Sequence, residues 1–412
     1  YDCVPVSVIR KLPPYKHVIM DRSTRRSGSH PRLNRLMESP LRSTPTVYLA
    51  TMDNKITHPD PDLDYPALAR HIKRWGMELG FQQVGISDIR LDEDEAFLLQ
   101  WLRSGYHGEM DYMQRHGTRR SRPAELVPGT VRVISVRMDY WPDRARPVGE
   151  VLQDPALAYL SRYALGRDYH KVLRKRLQQL ATRIESFSGP FGYRVFTDSA
   201  PVLEKALAQQ AGLGWIGKHT NLINERAGSW FFIGELYTDL PLPPDMPAVN
   251  HCGHCQNCID ACPTQAIIAP YQLDARLCIS YLTIELRGAI PEQLRPLIGN
   301  RVYGCDDCQL VCPWNRFAGP SREKVFTPRH GLDSRELVQL FAWDATAFEE
   351  KTRGSAIHRI GYACWLRNIA VGLGNAPTTD AVLAALCARL DHPSELVREH
   401  VAWALQQHQH AR

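Results

Sequence analysis

The chain has 412 residues, 44% hydrophobic and 23% charged, which suits an ordinary globular protein of two or three domains. Lys and Arg exceed Asp and Glu by 50 to 44, a net +6 that suits an RNA partner without establishing one. No stretch reaches the uninterrupted apolar length of a membrane span, so no membrane role is expected.

Residues 1–51 differ from the rest. The chain begins with Tyr1, and Arg22 to Pro40 is rich in Arg, Pro and Ser without a sustained period. Met52 and its polar lead-in read as a start. Residues 1–51 are therefore expected to be a disordered arm, a targeting segment or translated upstream sequence, and carry no assigned function. From Tyr65 the pattern changes. Leu68, Ile72, Trp75 and Leu79 repeat at the spacing of one helix face. Phe81 to Ile86 reads as a strand, Glu95 to Leu102 as a helix and Val131 to Met138 as a β-branched strand. Tyr159 to Ile184 reads as one basic helix and Phe191 to Thr197 as a further strand. The alternation predicts an α/β (α+β) domain over residues 52–240.

Thr197-Asp198-Ser-Ala-Pro201 leaves that last strand and enters a helix, with Pro201 expected in its first turn. Asp198 is then either a helix cap or, if burial raises its pKa, a proton donor. Gly212-Leu-Gly214-Trp-Ile-Gly217 matches a dinucleotide fingerprint in letters, but it follows a helix. A glycine-rich turn that lets backbone approach a large cofactor fits better. Asp168-Tyr-His170 resembles the start of a cobalt-ligating D-x-H-x-x-G. Leu173 stands where that motif needs glycine, and a surface pair is the plainer alternative. Arginines at 115, 119, 120 and 122, and basic residues at 167, 171 and 174–176, lie among tyrosines. Such groups suit a flipped RNA base and its phosphates, although solvated helix faces give the same pattern.

Eight of eleven cysteines fall between Cys252 and Cys312. Cys252-x2-Cys255-x2-Cys258-x3-Cys262-Pro has the bacterial ferredoxin spacing. Cys305-x2-Cys308-x3-Cys312-Pro repeats it, with Cys278 in place of the missing first cysteine. Three closely spaced thiolates grip one cube, and the fourth points to its neighbour. The arithmetic gives two [4Fe-4S] clusters, on Cys252, Cys255, Cys258 and Cys312, and on Cys262, Cys278, Cys305 and Cys308. A pair of zinc sites is the rival reading. Clusters and free cysteines favour a reducing cytoplasm over a disulfide framework. Residues 241–325 are read as this ferredoxin-like part and 326–412 as an all-α region. Its final helix pair, around Asp391 to Arg398, looks like one HEAT-type repeat or a plain helical cap.

Taken together, Arg122-Pro-Ala-Glu-Leu-Val-Pro-Gly129, Gly166-Arg-Asp-Tyr-His170-Lys, Thr197-Asp-Ser-Ala-Pro201, Gly214-Trp-Ile-Gly-Lys218-His-Thr-Asn221 and the double cysteine run resemble the epoxyqueuosine reductase family. The resemblance covers about Met52 to Arg412, and the reductive dehalogenases are its mechanistic relatives. It implies base-off cob(II)alamin in the α/β domain, two [4Fe-4S] clusters and an external low-potential electron donor. It implies reduction of epoxyqueuosine to queuosine at the wobble base of tRNAs for Tyr, His, Asn and Asp, by a cytoplasmic monomer. Asp198 matches the family's proton donor. Arg122, Ser161, Asp198, His219, Leu222 and Ile233 match cobalamin contacts, and Asp168 and His170 the substrate pocket. A dehalogenase-like reductase of a small molecule is the alternative, as is a module with clusters and no chemistry.

Overall fold

The computed structural model describes residues 60–410, so the expectation for residues 1–51 lies outside the described residues. The first helix, α1 (Tyr65–Glu78), is capped by Asp64, whose side chain accepts from the Ala67 N–H at 2.8 Å, and it buries Leu68, Ala69, Ile72 and Gly76. There follow β1 (Gln83–Ser87), α2 (Asp92–Arg103), β2 (Arg132–Asp139), α3 (Tyr169–Ser188), β3 (Tyr193–Phe196), α4 (Glu204–Gln210) and β4 (Phe231–Thr238). The four strands form one sheet in the order β1-β2-β4-β3, and every pairing is antiparallel.

Helices and strands do alternate along the chain, but alternation alone does not force parallel crossovers. Here β3 pairs on the far side of β4, with Val195 opposite Leu236. The sheet is thus of the α+β kind, and the rule that places ligands beside parallel strand ends does not apply. One face carries Ile134, Val136, Met138, Phe232 and Leu236 against α1 and the Leu173, Leu177, Leu180 and Ile184 stripe of α3. Each of those α3 side chains contributes roughly 1.5–3 kcal/mol by burial. Leu173, which stands where a cobalt-ligating motif would have glycine, is a core residue on this stripe. The other face packs Val133, Phe196 and Tyr237 under Leu207 of α4.

Several expected boundaries move. The long helix begins only at Tyr169, capped by Asp168, while Tyr159–Leu160 is a short strand pairing in parallel with Arg301–Tyr303. Burial of Tyr159 and Leu160 against the later segment overrides their helical reading. Pro201 precedes its helix by three residues rather than entering it. A short helix, Leu337–Phe341, opens the helical region that follows.

Beyond the sheet, α5 (Ile279–Ile284) packs with α6 (Gly361–Gly374) and α7 (Glu395–His410). They share one hydrophobic core with residues 158–165, 290–303 and 332–343. The fully buried Arg367 ties α6 to the α5 segment, donating to the carbonyls of Leu282, Leu286 and Gly288, each at 2.8 Å. Among the described residues no helix is long and apolar enough to cross a membrane.

Candidate active site beside two cysteine cages

Two cavities separate the eight cysteines. The first, about 260 Å³, is lined by Cys252, Cys255, Cys258 and Cys312. The second, about 460 Å³, is lined by Cys262, Cys278, Cys305 and Cys308. Electrostatic proximity sorts them the same way for Cys258, which burial and the neighbouring Cys312, Cys252 and Cys255 push up to about 11. Cys308 is raised far by burial, and Cys278 is the largest sulfur influence on it. No disulfide links any described cysteine. Among the described residues no three or more His, Cys, Asp or Glu side chains converge closely enough for a single ion. Four soft sulfurs around each wider space suit a cube better than a tetrahedral zinc.

The second cavity is more than a cage. Its remaining wall brings together Ser161, Asp198, His219, Leu222 and Ile233, five residues from well-separated parts of the chain. Arg122 does not line it: its guanidinium is paired with Glu95 at 2.8 Å and with Glu125 at 3.1 Å. Ser161 is fixed by Asp306, the first aspartate of the Cys-Asp-Asp-Cys run. That buried carboxylate accepts from Ser161 Oγ and Tyr159 Oη, both at 2.6 Å, and from the Arg162 N–H at 2.8 Å. The cysteine loop and this wall of the site are therefore set by one group.

His219 lines both cavities. Burial, then the charge of Lys205, lowers its pKa to about 4, so it is neutral. Nδ1 accepts from the Asn221 N–H at 3.1 Å, which leaves a proton on Nε2, and Nε2 is buried without a partner. An unpaired donor at that place fits an acceptor on a bound group. The glycine-rich turn next to it needs its glycines. A Cβ at Gly214 would lie 2.2 Å from the Ile223 carbonyl oxygen, across the Trp215–Ile216 and Leu222–Ile223 hairpin. Lys218 then crosses to the first cysteine run, donating to the carbonyls of Gly253 at 2.7 Å and Cys255 at 2.9 Å.

Asp198 is not a helix cap. It sits in a turn after β3 with φ of +47°, a left-handed conformation that Asp tolerates better than most residues. Its carboxylate accepts from Tyr169 Oη at 2.5 Å and lies 3.3 Å from His170 Nε2. His170 Nδ1 in turn meets Asp168 at 2.6 Å. Asp168, His170 and Asp198 thus form one chain, held by the first turn of α3. Tyr169 is buried and its ring stacks on Phe232 at 3.8 Å.

The expectation that burial alone raises the Asp198 pKa is corrected. Burial is the largest single influence and does push it up, but the hydrogen bonds from His170 and Tyr169 and the charge of His170 outweigh it. The net direction is downward. His170 moves the opposite way: burial opposes its charge, yet bonds to Asp168 and Asp198 raise it to about 9. At neutral pH the proton of this pair rests on His170 and the carboxylate is charged. Tyr169, Asp306, Glu204 and Arg359 were not singled out by sequence reasoning for this wall. Tyr169 and Asp306 were legible only as neighbours inside the quoted motifs.

The basic groups divide. Arg120 is buried and donates to the Tyr112 and Met113 carbonyls, and Arg176 is paired with Glu323. Arg115, Arg119, Arg167, Lys171, Arg174 and Lys175 are exposed. Several of these lie on the first turns of the helix that presents His170.

Residues 251–315 match the family model described as a 4Fe-4S double cluster binding domain. Residues 120–199 match the one described as Epoxyqueuosine reductase QueG, DUF1730. A Pseudomonas aeruginosa protein named epoxyqueuosine reductase is 64% identical over 357 residues, 86% of this chain and 97% of that one. A protein of the same name from Xanthomonas campestris pv. campestris is 60% identical, over 87% and 99% of the two chains. A crystal structure of epoxyqueuosine reductase with an epoxyqueuosine-modified tRNA-Tyr stem loop aligns with a TM-score of 0.77 at 27% identity. That alignment covers 84% of this chain and 91% of the other.

Proposed function

The chain belongs to the epoxyqueuosine reductase family, and from that premise we propose how its residues carry out the reduction. It converts epoxyqueuosine to queuosine at the wobble base of tRNAs with G-U-N anticodons, as a cytoplasmic monomer fed by an external low-potential donor. The observation that carries the reading is the second cavity. There four cysteines, Asp198 and a neutral His219 share one space.

Cys252, Cys255, Cys258 and Cys312 hold one [4Fe-4S] cluster, and Cys262, Cys278, Cys305 and Cys308 the other. The sorting of the thiols between two cavities supports that partition. Cobalamin would be held at the wall of the second cavity, by the apolar surfaces of Leu222, Ile233 and Phe232 and the polar atoms of Ser161 and His219. When bound, the clusters would relay electrons one at a time from the external donor, and cobalamin would supply the metal centre that receives them. The residues of the chain do the rest. Ser161 and His219 orient the bound group, and Leu222 and Ile233 keep water from it. Asp168 holds the His170 ring through Nδ1, and His170 keeps a proton within reach of Asp198. The Asp198 carboxylate faces the cavity with 52% of its side-chain surface open, placed to pass that proton to the departing epoxide oxygen. Exposed Arg167, Lys171, Arg174 and Lys175 meet tRNA phosphates. The arrangement is read as a catalytic α+β domain (52–240), a ferredoxin-like part (241–325) and a HEAT-like helical end (326–412).

The test is anaerobic protein loaded with iron, sulfide and cobalamin. Cobalt should bind at one per chain, and Asp198→Ala should retain it while losing most queuosine formation. Undiminished turnover in that variant would assign the proton to another group.

A further inference from the structure

Behind Asp198 lies an acid that the scheme above leaves unused. Glu235 stands in the middle of β4, opposite Ser135 of β2 and Phe196 of β3. It is fully buried, and neither carboxylate oxygen has a hydrogen-bond partner. Ser135 Oγ beside it is also buried without one. The helix above this face is α4. A Cβ at Gly85, the other neighbour of Ser135, would lie 2.0 Å from the Ala211 carbonyl oxygen, so the end of α4 lies directly on the sheet. Glu204, Leu207, Ala208 and Ala211 fall on one face of that segment, and the last three are buried. Glu204 is therefore on the stripe that meets the sheet, and it also lines the cavity with Asp198. Lys205 is held by the Thr220 carbonyl at 2.9 Å.

An ionised carboxylate with no partner in such a place is costly, whereas its neutral form is tolerated. Burial holds Glu235 protonated, and the charges of Glu204 and Asp198 add to it. Burial, then the Asp198 charge, pushes Glu204 up to about 8, against the opposing charges of Lys205 and His170. Along β4 the titratable neighbour is Tyr237, itself raised by burial and by Glu235.

Reducing an epoxide to an alkene breaks two C–O bonds, forms one C=C bond and releases water, consuming two electrons and two protons. The electrons come from the external donor already required, and His170 with Asp198 holds one proton. We propose that Glu204 gives the second proton, to the hydroxyl that leaves as water, while Glu235, sealed in the sheet without a partner, stays protonated throughout. The proposal rests on the functional reading above.

The test uses Glu204→Gln and Glu235→Gln in the full chain, matched for iron and cobalt content. Glu204→Gln should slow single-turnover queuosine formation about 10- to 100-fold with little change in KM for tRNA. Glu235→Gln, which keeps a neutral side chain in the sheet, should leave the rate and its pH profile within about twofold of wild type. Infrared difference spectra of the resting protein should show carboxylic C=O bands, one lost in each variant, with only the Glu204 band titrating. Full-rate Glu204→Gln, or wild type without such bands, would overturn the proposal. Wild type that leaves epoxyqueuosine unchanged would defeat the functional reading instead, and the bands decide the protonation of both acids independently of turnover.

Discussion

Replacing His170 by Gln keeps a polar side chain but removes the cation that holds Asp198 ionised. The charge lies 3.3 Å from the Asp198 carboxylate. Coulomb's law at an effective dielectric of about 20 gives roughly 5 kcal/mol at that separation. Because 52% of the Asp198 side chain is open, solvent screening brings this to about 2–3 kcal/mol. Asp198 in the variant should then titrate higher than in wild type and carry its own proton only at low pH. The sign follows from where the proton sits. In wild type His170 keeps it until pH rises through about 9, so delivery of this proton should hold below that value and fall above it, on top of the fall that Glu204 sets near 8. In His170→Gln the fall should begin at distinctly lower pH, because the proton must then sit on Asp198, a carboxyl and a much stronger acid than the imidazolium it replaces. The assay is single-turnover conversion of epoxyqueuosine-tRNA across about pH 5.5 to 9.5, scored by nucleoside digestion and mass spectrometry. A variant whose profile keeps its alkaline limb near 9 would refute the assignment of the proton to His170.

Other variants test the frame around the site. Cys308→Ser and Cys312→Ser should each lower iron from about eight to about four atoms per chain, and each should leave a different cluster signal in electron paramagnetic resonance. Identical residual spectra would contradict the partition. Arg367→Met strands three buried carbonyls, so it should cost at least about 3 kcal/mol and lower Tm by several degrees; an unchanged melt would show that α6 is held otherwise. Lys171→Glu with Arg174→Glu should raise KM for tRNA about five- to tenfold and flatten its salt dependence, with kcat unchanged.

The parts legible in the sequence were those where chemistry fixes spacing. Thiols recur at x2 and x3 to grip a cube, and the two sets of four read from that pattern, with Cys278 as the stand-in, are the sets that line the two cavities. The site was half legible: Asp198 and His170 stood out, but their direct contact depends on a left-handed turn at Asp198 that no period announces. Charge assignment within the pair was hidden for the same reason, since it follows from the 3.3 Å separation and not from burial alone. The central strand β4 went unread. It is buried on both faces, so Phe231 to Thr238 shows no alternation, and Glu235 in its middle argues locally against a strand. Antiparallel pairing was likewise invisible, because helix–strand alternation fits either direction. Arg367 carries no sequence signal at all: its partners are backbone carbonyls about eighty positions away.

The most direct measurement is the nucleoside composition of epoxyqueuosine-bearing tRNA after anaerobic incubation with this chain, cobalamin, reductant and reconstituted clusters. Queuosine should replace epoxyqueuosine, and the conversion should stop when Cys308→Ser removes the cluster beside Asp198. Epoxyqueuosine that persists with both clusters and cobalamin in place would contradict the account.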